Sequence, residues 1–439
     1  MCSVSVLVPI YNVAPYLAQC LSSLAAQTMQ DIEFICINDG STDSSSEIVH
    51  VFAQRDLRFR VIDKENSGYG KSMNLGLREA KGEYIGIVES DDFVEPDMFA
   101  TLYETAKGYD ADIVRSDYWS YFHSTNHYFN TIGVYYYNKV ISAEQVPSVF
   151  EGNPSIWSNL YRRDFLYKND IWFTESPGAS FQDIAFHLKN FMCAKRLFFL
   201  HRAFYYYRCD NVNASVKSKG KLFCVCDEYD EAERFMNERP ELVKRYQLLI
   251  PFLRFGHYLW NCHDRNLKGE DRLAFLNRVY DEYQVINQKG LVVEGYWSTY
   301  RWRMIQLLLT NKELFFQQLL AKAQKNQLRR SLLNNLRSAK HEYKLAIYGA
   351  GKIGKQVLDT FLRNYVKVDC FLVTGKPEVG CLAGIPVYSV DDVTADKEDY
   401  QVLVAVSAKT QAVIYARLME LQFPNVILLD DLWQKILWG

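Results

Sequence analysis

Residues 82–92 read Gly82-Glu83-Tyr84-Ile85-Gly86-Ile87-Val88-Glu89-Ser90-Asp91-Asp92, so an apolar run leads directly into three carboxylates. The run from Tyr84 to Val88 is too short for a helix and rich in β-forming residues, which predicts a buried strand. Carboxylates clustered at a strand end repel one another unless a cation lies among them, and their oxygen atoms suit Mg²⁺ or Mn²⁺. A solvated acidic turn is the alternative, because acidic residues are common in turns.

The composition is that of an ordinary folded protein. The chain has 439 residues, 49% hydrophobic and 23% charged, which suggests two or three domains. A formal net charge of −2 gives no support to a nucleic-acid partner. The ten cysteines lack zinc-ligand spacing and are expected to be free thiols. Neither a signal peptide nor a membrane-spanning run is apparent, so we expect a cytoplasmic protein, with peripheral contact at the inner face of the membrane left open.

Strands and helices alternate along the first part of the chain. Strand signals at residues 4–10, 34–37 and 60–62 each precede apolar residues at helical spacing. Such alternation with short links predicts a parallel, doubly wound sheet. Right-handed crossovers bring the ends of successive strands to one edge, so Asp39, which follows the second strand, is expected near the carboxylates of residues 89–92.

Three motifs in this order resemble the family 2 glycosyltransferases of the GT-A fold. They are Val4-Ser5-Val6-Leu7-Val8-Pro9-Ile10-Tyr11-Asn12, Asn38-Asp39-Gly40-Ser41-Thr42-Asp43 and Glu89-Ser90-Asp91-Asp92. The resemblance extends to about residue 215, and three motifs in register are more specific than any one alone. It implies an enzyme that moves a sugar from a nucleoside-diphosphate sugar to a glycan or lipid-linked acceptor. No nucleic-acid partner is expected. The resemblance also implies a nucleotide-binding half followed by an acceptor-facing half.

The resemblance assigns roles to individual residues. It implies a donor-binding set comprising Pro9, Tyr11, Asn12, Asp39, Gly68, Lys71, Asn74, Asp91, Trp157 and Arg208. Asp91 and Asp92 match the metal and ribose positions of the acidic motif, which implies Mg²⁺ or Mn²⁺ as cofactor. The family usually has aspartate where this chain has Glu89, whose longer side chain keeps the charge but changes the reach.

Three of these donor-binding assignments have a structural alternative. Lys71 would meet a phosphate, or it is a surface lysine. Trp157 would stack on a sugar face, or it fills the core. Arg208 would clamp the diphosphate, which its fork geometry favours, or it makes a surface ion pair.

Asp183 lies near the start of a helix predicted after the turn at residues 177–180. An acid in that position is commonly a partner of the helix dipole. The resemblance implies instead that Asp183 is the catalytic base for the acceptor hydroxyl in an inverting transfer. Burial is expected to raise its pKa toward the working pH. The family usually places glutamate before this aspartate, where this chain has Gln182.

The remaining sequence divides into two further parts. Residues 1–215 form the predicted GT-A domain, and residues 216–343 show helical spacing that predicts a helical region or linker. Its basic run, Lys322 to Lys344, is interpreted as a solvated helix face joining domains, with a membrane-surface helix as the alternative. Residues 344–439 predict a small Rossmann-like domain, in which Gly349, Gly351 and Gly354 form a nucleotide loop between a strand and a helix.

The sequence therefore predicts an α/β protein with a GT-A doubly wound, mostly parallel sheet, a helical middle region and a small C-terminal Rossmann-like domain. The leading hypothesis is a metal-dependent, inverting glycosyltransferase of bacterial surface polysaccharide synthesis. One alternative is an NAD(P)-linked sugar oxidoreductase that uses the C-terminal domain, although Thr374 stands where a dinucleotide binder would have an acid. Another is a non-catalytic carbohydrate-binding scaffold. Homo-oligomerisation is left open.

Overall fold

The computed structural model describes residues 2–122, 125–176, 178, 181–211, 223–264, 269–338, 343–364, 366–393 and 397–429. The chain divides into two units, residues 1–261 with 267–315 and residues 262–266 with 316–439. Most of the predicted helical region, up to residue 315, belongs to the first unit. The predicted domain boundary at residue 215 and residues 339–342 of the basic run lie outside the described residues.

The first unit is built on one large mixed sheet. Its strands are β1 (Val4–Ile10), β2 (Ile32–Asp39), β3 (Phe59–Lys64), β4 (Tyr84–Ile87), β5 (Phe93–Val94), β6 (Ile113–Phe122), β7 (Thr125–Phe129), β8 (Val140–Ile141), β9 (Asn159–Arg162) and β10 (Leu197–Arg208). Their order is β3-β2-β1-β4-β9-β6-β10-β5, with β7 on β6 and β8 on β10. The first four strands are parallel, whereas β9 runs antiparallel to both neighbours.

The strand order places a ligand-binding position at β1. Strand β2 lies on one side of β1 and β4 on the other, so the winding direction changes there. In open α/β sheets, ligands bind outside the carboxyl ends of the strands at such a point. The predicted strand of the acidic stretch is confirmed, because all four residues of β4 are buried.

Helices cover the sheet and continue beyond it. They are α1 (Ala14–Ala25), α2 (Ser45–Arg55), α3 (Tyr69–Glu79), α4 (Met98–Gly108), α5 (Arg163–Lys168), α6 (Gln182–Cys193), α7 (Cys224–Asn237), α8 (Pro240–Tyr246), α9 (Leu249–Asp264), α10 (Gly269–Gln288), α11 (Thr299–Thr310) and α12 (Lys312–Ser338). Helix α1 shows the expected pattern, since its apolar residues at helical spacing, such as Leu17 and Leu21, are buried. Within the described part of the chain, no helix has the length and apolar character needed to cross a bilayer.

The second unit carries a smaller sheet. Its strands are β11 (Lys344–Tyr348), β12 (Cys370–Val373), β13 (Cys381–Leu382), β14 (Ile385–Ser389), β15 (Tyr400–Val404) and β16 (Asn425–Leu428), and its further helices are α13 (Lys352–Arg363) and α14 (Ala408–Glu420). The order is β13-β14-β12-β11-β15-β16, with all neighbours parallel except β13 and β14. This sheet also changes winding direction at its first strand.

The predicted glycine loop joins β11 to α13 in the second unit. Gly349 has φ +107°, a conformation that side chains disfavour. A Cβ on Gly354 would overlap the Gly349 carbonyl oxygen, whereas one on Gly351 would meet nothing within 4 Å. Two of the three glycines therefore serve close packing of the turn, and nucleotide binding by this loop stays a prediction.

Candidate active site

The carboxyl ends of the first four strands meet at one edge of the large sheet. Ile10 of β1 pairs with Asn38, Leu7 of the same strand pairs with Ile87, and Asp39 at the end of β2 pairs with Lys64. The segments that follow these strands carry most of the predicted donor-binding and metal-binding residues. They are thus brought to the edge where the winding direction changes.

Asn12 joins the first two loops of this edge. Its Oδ1 atom accepts hydrogen bonds from the backbone N–H groups of Thr42, at 2.8 Å, and Asp43, at 3.3 Å. Its own backbone has φ +48°, which asparagine tolerates better than most residues. Pro9 is buried within β1, whereas the Tyr11 side chain is 52% exposed. Tyr11 and Asn12 are both exposed, and because the Asn12 side chain already bonds to the loop after β2, we expect the Tyr11 ring to be the surface that a ligand contacts.

Asp39 shapes the loop between β3 and α3. Its buried carboxylate accepts hydrogen bonds from the backbone N–H groups of Ser67 and Gly68, both at 2.9 Å, and forms an ion pair with Lys64. Gly68 has φ +98°, and a Cβ there would lie 2.8 Å from the Gly178 nitrogen. Asp39 therefore holds Gly68 in a close approach to a distant segment, and its predicted contact with a base or ribose stays a prediction.

Helix α3 extends the same edge with two predicted residues. Asn74 is buried, and its Nδ2 atom donates to the Phe173 carbonyl oxygen and to Glu175 Oε1, both at 3.0 Å. Its Oδ1 atom accepts from the Phe173 N–H at 2.9 Å. Lys71, in the first turn, is exposed and makes no ion pair with any residue that the structure describes. Asn74 thus connects two segments, while Lys71 is available to an anion.

Glu89 lies directly after β4, where the acidic motif begins. Tyr69 donates its hydroxyl proton to Glu89 Oε1 at 2.6 Å, and the Glu89 N–H donates to the Tyr205 hydroxyl oxygen at 3.0 Å. Burial, with smaller contributions from the negative charges of Asp91 and Asp183, raises the pKa of Glu89 to about 8. Asp91 and Asp183 are therefore close enough to Glu89 to influence its ionisation.

The two aspartates of the motif have different surroundings. Asp92 is 1% exposed, and its two oxygens accept hydrogen bonds from the Tyr205 hydroxyl and the Arg208 N–H, both at 2.7 Å. Asp91 is half-buried and accepts from Asn211 Nδ2 at 2.7 Å. Burial raises the pKa of both carboxyls. Asp92 therefore anchors β10, and Asp91 is the more accessible of the two.

The acidic motif has the chemistry of a cation site. Burial and mutual repulsion disfavour the charged forms of Glu89, Asp91 and Asp92, and a divalent cation among them would favour those forms. Their oxygen atoms are the ligands that Mg²⁺ and Mn²⁺ prefer. Among the residues that the structure describes, no group of three or more His, Cys, Asp or Glu side chains is arranged as a ready metal site. Asp91 and Glu89 are chemically suited to such a cation, and metal binding stays a prediction.

Asp183 enters the site from the first turn of α6. Phe181 before it has φ +63° and turns the chain into the helix, while residues 177, 179 and 180 of the predicted turn lie outside the described residues. Burial raises the pKa of Asp183 to about 6, although the N–H groups of Asp183 and Ile184 favour its charged form. The expected direction of this shift is confirmed, and it suits a group that exchanges protons near neutral pH.

Trp157 and Arg208 are both buried. The Trp157 ring stacks on Tyr205, with centroids 4.3 Å apart, and on Tyr207, at 5.2 Å. The Arg208 guanidinium donates to the Asp91 carbonyl oxygen at 2.6 Å and to Gln19 Oε1 at 2.5 Å. Both side chains contact neighbouring elements of the fold, so their predicted donor contacts stay predictions.

Sequence reasoning missed four residues of the site: Tyr69, Tyr205, Asn211 and Glu228, the last of which is bonded to Thr174 and lies within electrostatic range of Asp183. Tyr69 directly follows Gly68, and Asn211 stands three positions after Arg208, so the motif positions could have pointed to both. The run Tyr205-Tyr206-Tyr207 gave no reason to select its first member. Glu228 lies on α7, beyond the resemblance, and no sequence signal separates it from the other acids of that helix.

Comparisons with known proteins identify glycosyltransferases similar to this chain. A family model described as glycosyl transferase family 2 matches residues 5–173. The chain is 34% identical over 261 residues to the uncharacterized glycosyltransferase EpsJ of Bacillus subtilis (strain 168), which covers 58% of this chain and 70% of that protein. It is 33% identical over 275 residues to the putative glycosyltransferase EpsH of the same organism, covering 62% of this chain and 80% of that protein.

A solved structure shows the same fold. The structure of residues 1–349 of S. aureus TarS in complex with UDP-GlcNAc superposes with a TM-score of 0.55 at 19% sequence identity, covering 72% of this chain and 90% of that chain. At this identity the likeness concerns the fold alone. It confirms the predicted α/β architecture with a large, parallel-rich sheet.

Proposed function

Because the chain belongs to glycosyl transferase family 2, we propose that it transfers a sugar, with inversion, from a nucleoside-diphosphate sugar to a hydroxyl group of a glycan or lipid-linked acceptor. The observation that carries this proposal is that Asp183, in the first turn of α6, lies within electrostatic range of Glu89, which follows β4 beside the strand β1 where the sheet changes winding direction. In this proposal a proton-accepting group and a cation-suited acidic motif serve one ligand position.

The donor side of the site is formed by the loops after β1, β2 and β3. Tyr11 has an exposed ring suited to stacking on a base, and Lys71 carries an exposed positive charge suited to a phosphate. The TarS structure named above contains UDP-GlcNAc, which makes uridine-diphosphate sugars the first donors to test. Asp39 and Gly68 serve this side by holding the loop that leads into α3.

Asp183 supplies the chemistry on the acceptor side. The acceptor oxygen forms a bond to the anomeric carbon while the bond from that carbon to the diphosphate oxygen breaks. The hydroxyl proton passes to the Asp183 carboxylate, and the departing diphosphate keeps the electron pair. Because the acceptor attacks opposite the leaving group, the configuration at the anomeric carbon inverts.

The acidic motif serves the departing diphosphate. A divalent cation such as Mg²⁺ or Mn²⁺ would supply positive charge that stabilises the diphosphate as it leaves. Asp91 would hold it through its accessible carboxylate, with Glu89 beside it. Asp92 contributes by keeping the end of β10 next to the motif through Tyr205 and Arg208.

We place the reaction in bacterial surface polysaccharide synthesis, on the cytoplasmic side of the membrane. This assignment rests on the bacterial glycosyltransferases that match over most of their length. Family membership favours a glycosyltransferase over the oxidoreductase alternative. The glycan or lipid-linked nature of the acceptor follows from the same resemblance.

The test is a donor screen followed by a transfer assay. Thermal shifts with a panel of nucleotide sugars, with and without Mn²⁺, identify the donor because a ligand that binds only the folded state raises its melting temperature. Release of nucleoside diphosphate and the anomeric configuration of the product are then measured. Stabilisation by one donor with cation-dependent, inverting transfer is expected. Binding of a glycan without turnover of any donor would contradict the proposal and favour a carbohydrate-binding scaffold.

A further inference from the structure

Helix α7 places a buried carboxyl group beside the candidate base. Glu228 is 1% exposed, and its Oε2 atom accepts a hydrogen bond from Thr174 Oγ1 at 3.0 Å. The same carboxyl group lies near the backbone N–H of Ala185, in the first turn of α6, and within electrostatic range of Asp183, and Lys189 of α6 forms an ion pair with Glu231 of α7 at 2.8 Å. Glu228 therefore contacts the helix turn that carries Asp183.

The Thr174 segment extends this contact to the donor side of the site. Asn74 of α3 is bonded to the Phe173 backbone at both its N–H and its carbonyl group. A Cβ on Gly70 would overlap the Thr174 carbonyl oxygen, so α3 and this segment lie in close contact. Through Thr174, Glu228 is thus joined to the helix whose first residue, Tyr69, binds Glu89.

The residue adjacent to Asp183 has another task. Gln182 is uncharged, and its Nε2 atom donates to Ser176 Oγ at 2.8 Å and to the Gly178 carbonyl oxygen at 3.1 Å. It secures the incoming loop, whereas the carboxyl group that contacts the first turn of α6 comes from α7. Helix α7 begins more than forty residues after Asp183 in the sequence.

We propose that Glu228 is a positioning residue for Asp183, which fixes the first turn of α6 and keeps water away from the base. This inference rests on the proposed function, in which Asp183 accepts the acceptor proton. Glu228 touches no substrate in this scheme. It acts through Ala185 and Thr174, and its removal would loosen the turn and let water reach Asp183.

The charged and titratable groups around the two carboxyls set the expected behaviour of variants. Asp183 faces Tyr69, Glu89, Tyr207, Glu228 and Tyr229. Glu228 faces Asp183 and Lys189, and burial is the main reason that its pKa is raised to about 8. Glu228 is therefore mostly neutral at pH 7, so glutamine at this position keeps the shape, the charge state and the hydrogen-bonding capacity.

The experiment compares Glu228→Ala and Glu228→Gln in the full chain, with Glu231→Gln as control. Glu231 lies one helical turn further along α7 and pairs with Lys189 and Arg234.

For Glu228→Ala we expect kcat to fall by about 10- to 100-fold, because small displacements of catalytic groups cost that much. The KM for the donor should be unchanged. The acid limb of its kcat profile should move below pH 6, since water entering beside Asp183 relieves its desolvation. Glu228→Gln should keep most of the wild-type kcat, and the acid limb of its kcat–pH profile should stay near pH 6.

Asp183→Asn separates this inference from the proposed function. If Asp183→Asn retains wild-type kcat, the assignment of the base fails. If Asp183→Asn is inactive but Glu228→Ala keeps wild-type kcat and an unmoved acid limb, the positioning role alone is contradicted. Should Glu228→Ala not fold, Thr174→Val removes the hydroxyl donor without altering α7, and a wild-type rate and pH profile for that variant would overturn the inference.

Discussion

The two sheets of this protein share a design but differ in what stands at their edges. In each, the first strand has parallel neighbours on both sides, β2 and β4 around β1 and β12 and β15 around β11. At the first edge, the strands lead into Asp39 and the Glu89–Asp92 motif. At the second, they lead into Gly349, Thr374 and Ala405. Among the described residues named here, the first edge therefore carries acidic groups beside the point where the winding direction changes, whereas the second carries uncharged ones.

The interactions at the two edges differ accordingly. At the first edge, burial raises the pKa values of Glu89, Asp91 and Asp183, and neighbouring carboxyls add to the shift for Glu89 and Asp91. At the second, the Tyr348 and Thr374 hydroxyls hydrogen-bond to each other at 2.6 Å. A topology that offers a ligand position thus becomes a candidate catalytic site only where the loops add groups that can hold a cation or move a proton.

The largest expected effect comes from removing the base at the first edge. Asp183→Asn should lower kcat by about 10²- to 10⁴-fold, the usual contribution of general base catalysis, while donor binding in a thermal-shift titration stays intact. Asp164→Asn is the matched control, because Asp164 also lies in a first helical turn but is exposed. Equal losses in both variants would show that Asp183 acts only on the helix dipole.

A second, somewhat smaller effect should follow from removing the cation. Chelation by EDTA, or Asp91→Asn, should lower transfer by about 10²- to 10³-fold, because charge stabilisation of the diphosphate is worth several kcal/mol. Added Mn²⁺ or Mg²⁺ should restore the chelated wild type. Asp97→Asn, which alters a partly exposed acid paired with Arg202, is the control. Undiminished turnover in EDTA would exclude a cation from the first edge.

The pH dependence of the transfer rate tests whether a carboxyl group with a raised pKa acts as the base. With the pKa of Asp183 near 6, kcat should fall about tenfold for each pH unit below that value, because only the ionised carboxylate accepts a proton. An ordinary aspartate, with a pKa of about 3.9, would keep the rate constant down to pH 5. Rates measured between pH 5 and 8 on folded enzyme decide between the two profiles.

The smallest effect on transfer is expected from the second edge, where glycine variants should alter stability instead. Gly354→Ala should lower the melting temperature, because its Cβ would overlap the Gly349 carbonyl oxygen, whereas Gly351→Ala meets open space and should change it little. Where the chain remains folded, both variants should keep kcat within about twofold. A large loss of kcat in Gly351→Ala would indicate that the second edge takes part in the reaction.

Much of the fold and part of the site were predictable from local patterns. The alternation of short apolar runs with helical spacing indicated the parallel half of the large sheet and the strand β4 before its carboxylates. The glycine loop after β11 was likewise expected between a strand and a helix. The fold and the family are confirmed, and the individual roles of the site residues stay predictions that the variants above test.

The sequence by itself determined which residues form strands and helices, because side-chain periodicity and turn chemistry act over a few residues. Only the tertiary structure decided what each polar group of the site contacts. Asp92 bonds to the Arg208 backbone, 116 residues away, and Asn74 to Phe173, 99 residues away. Glu228 reaches the turn of Asp183 from a separate helix. Buried polar groups must find hydrogen-bond partners, and in a packed sheet those partners come from whichever element lies next to them in space.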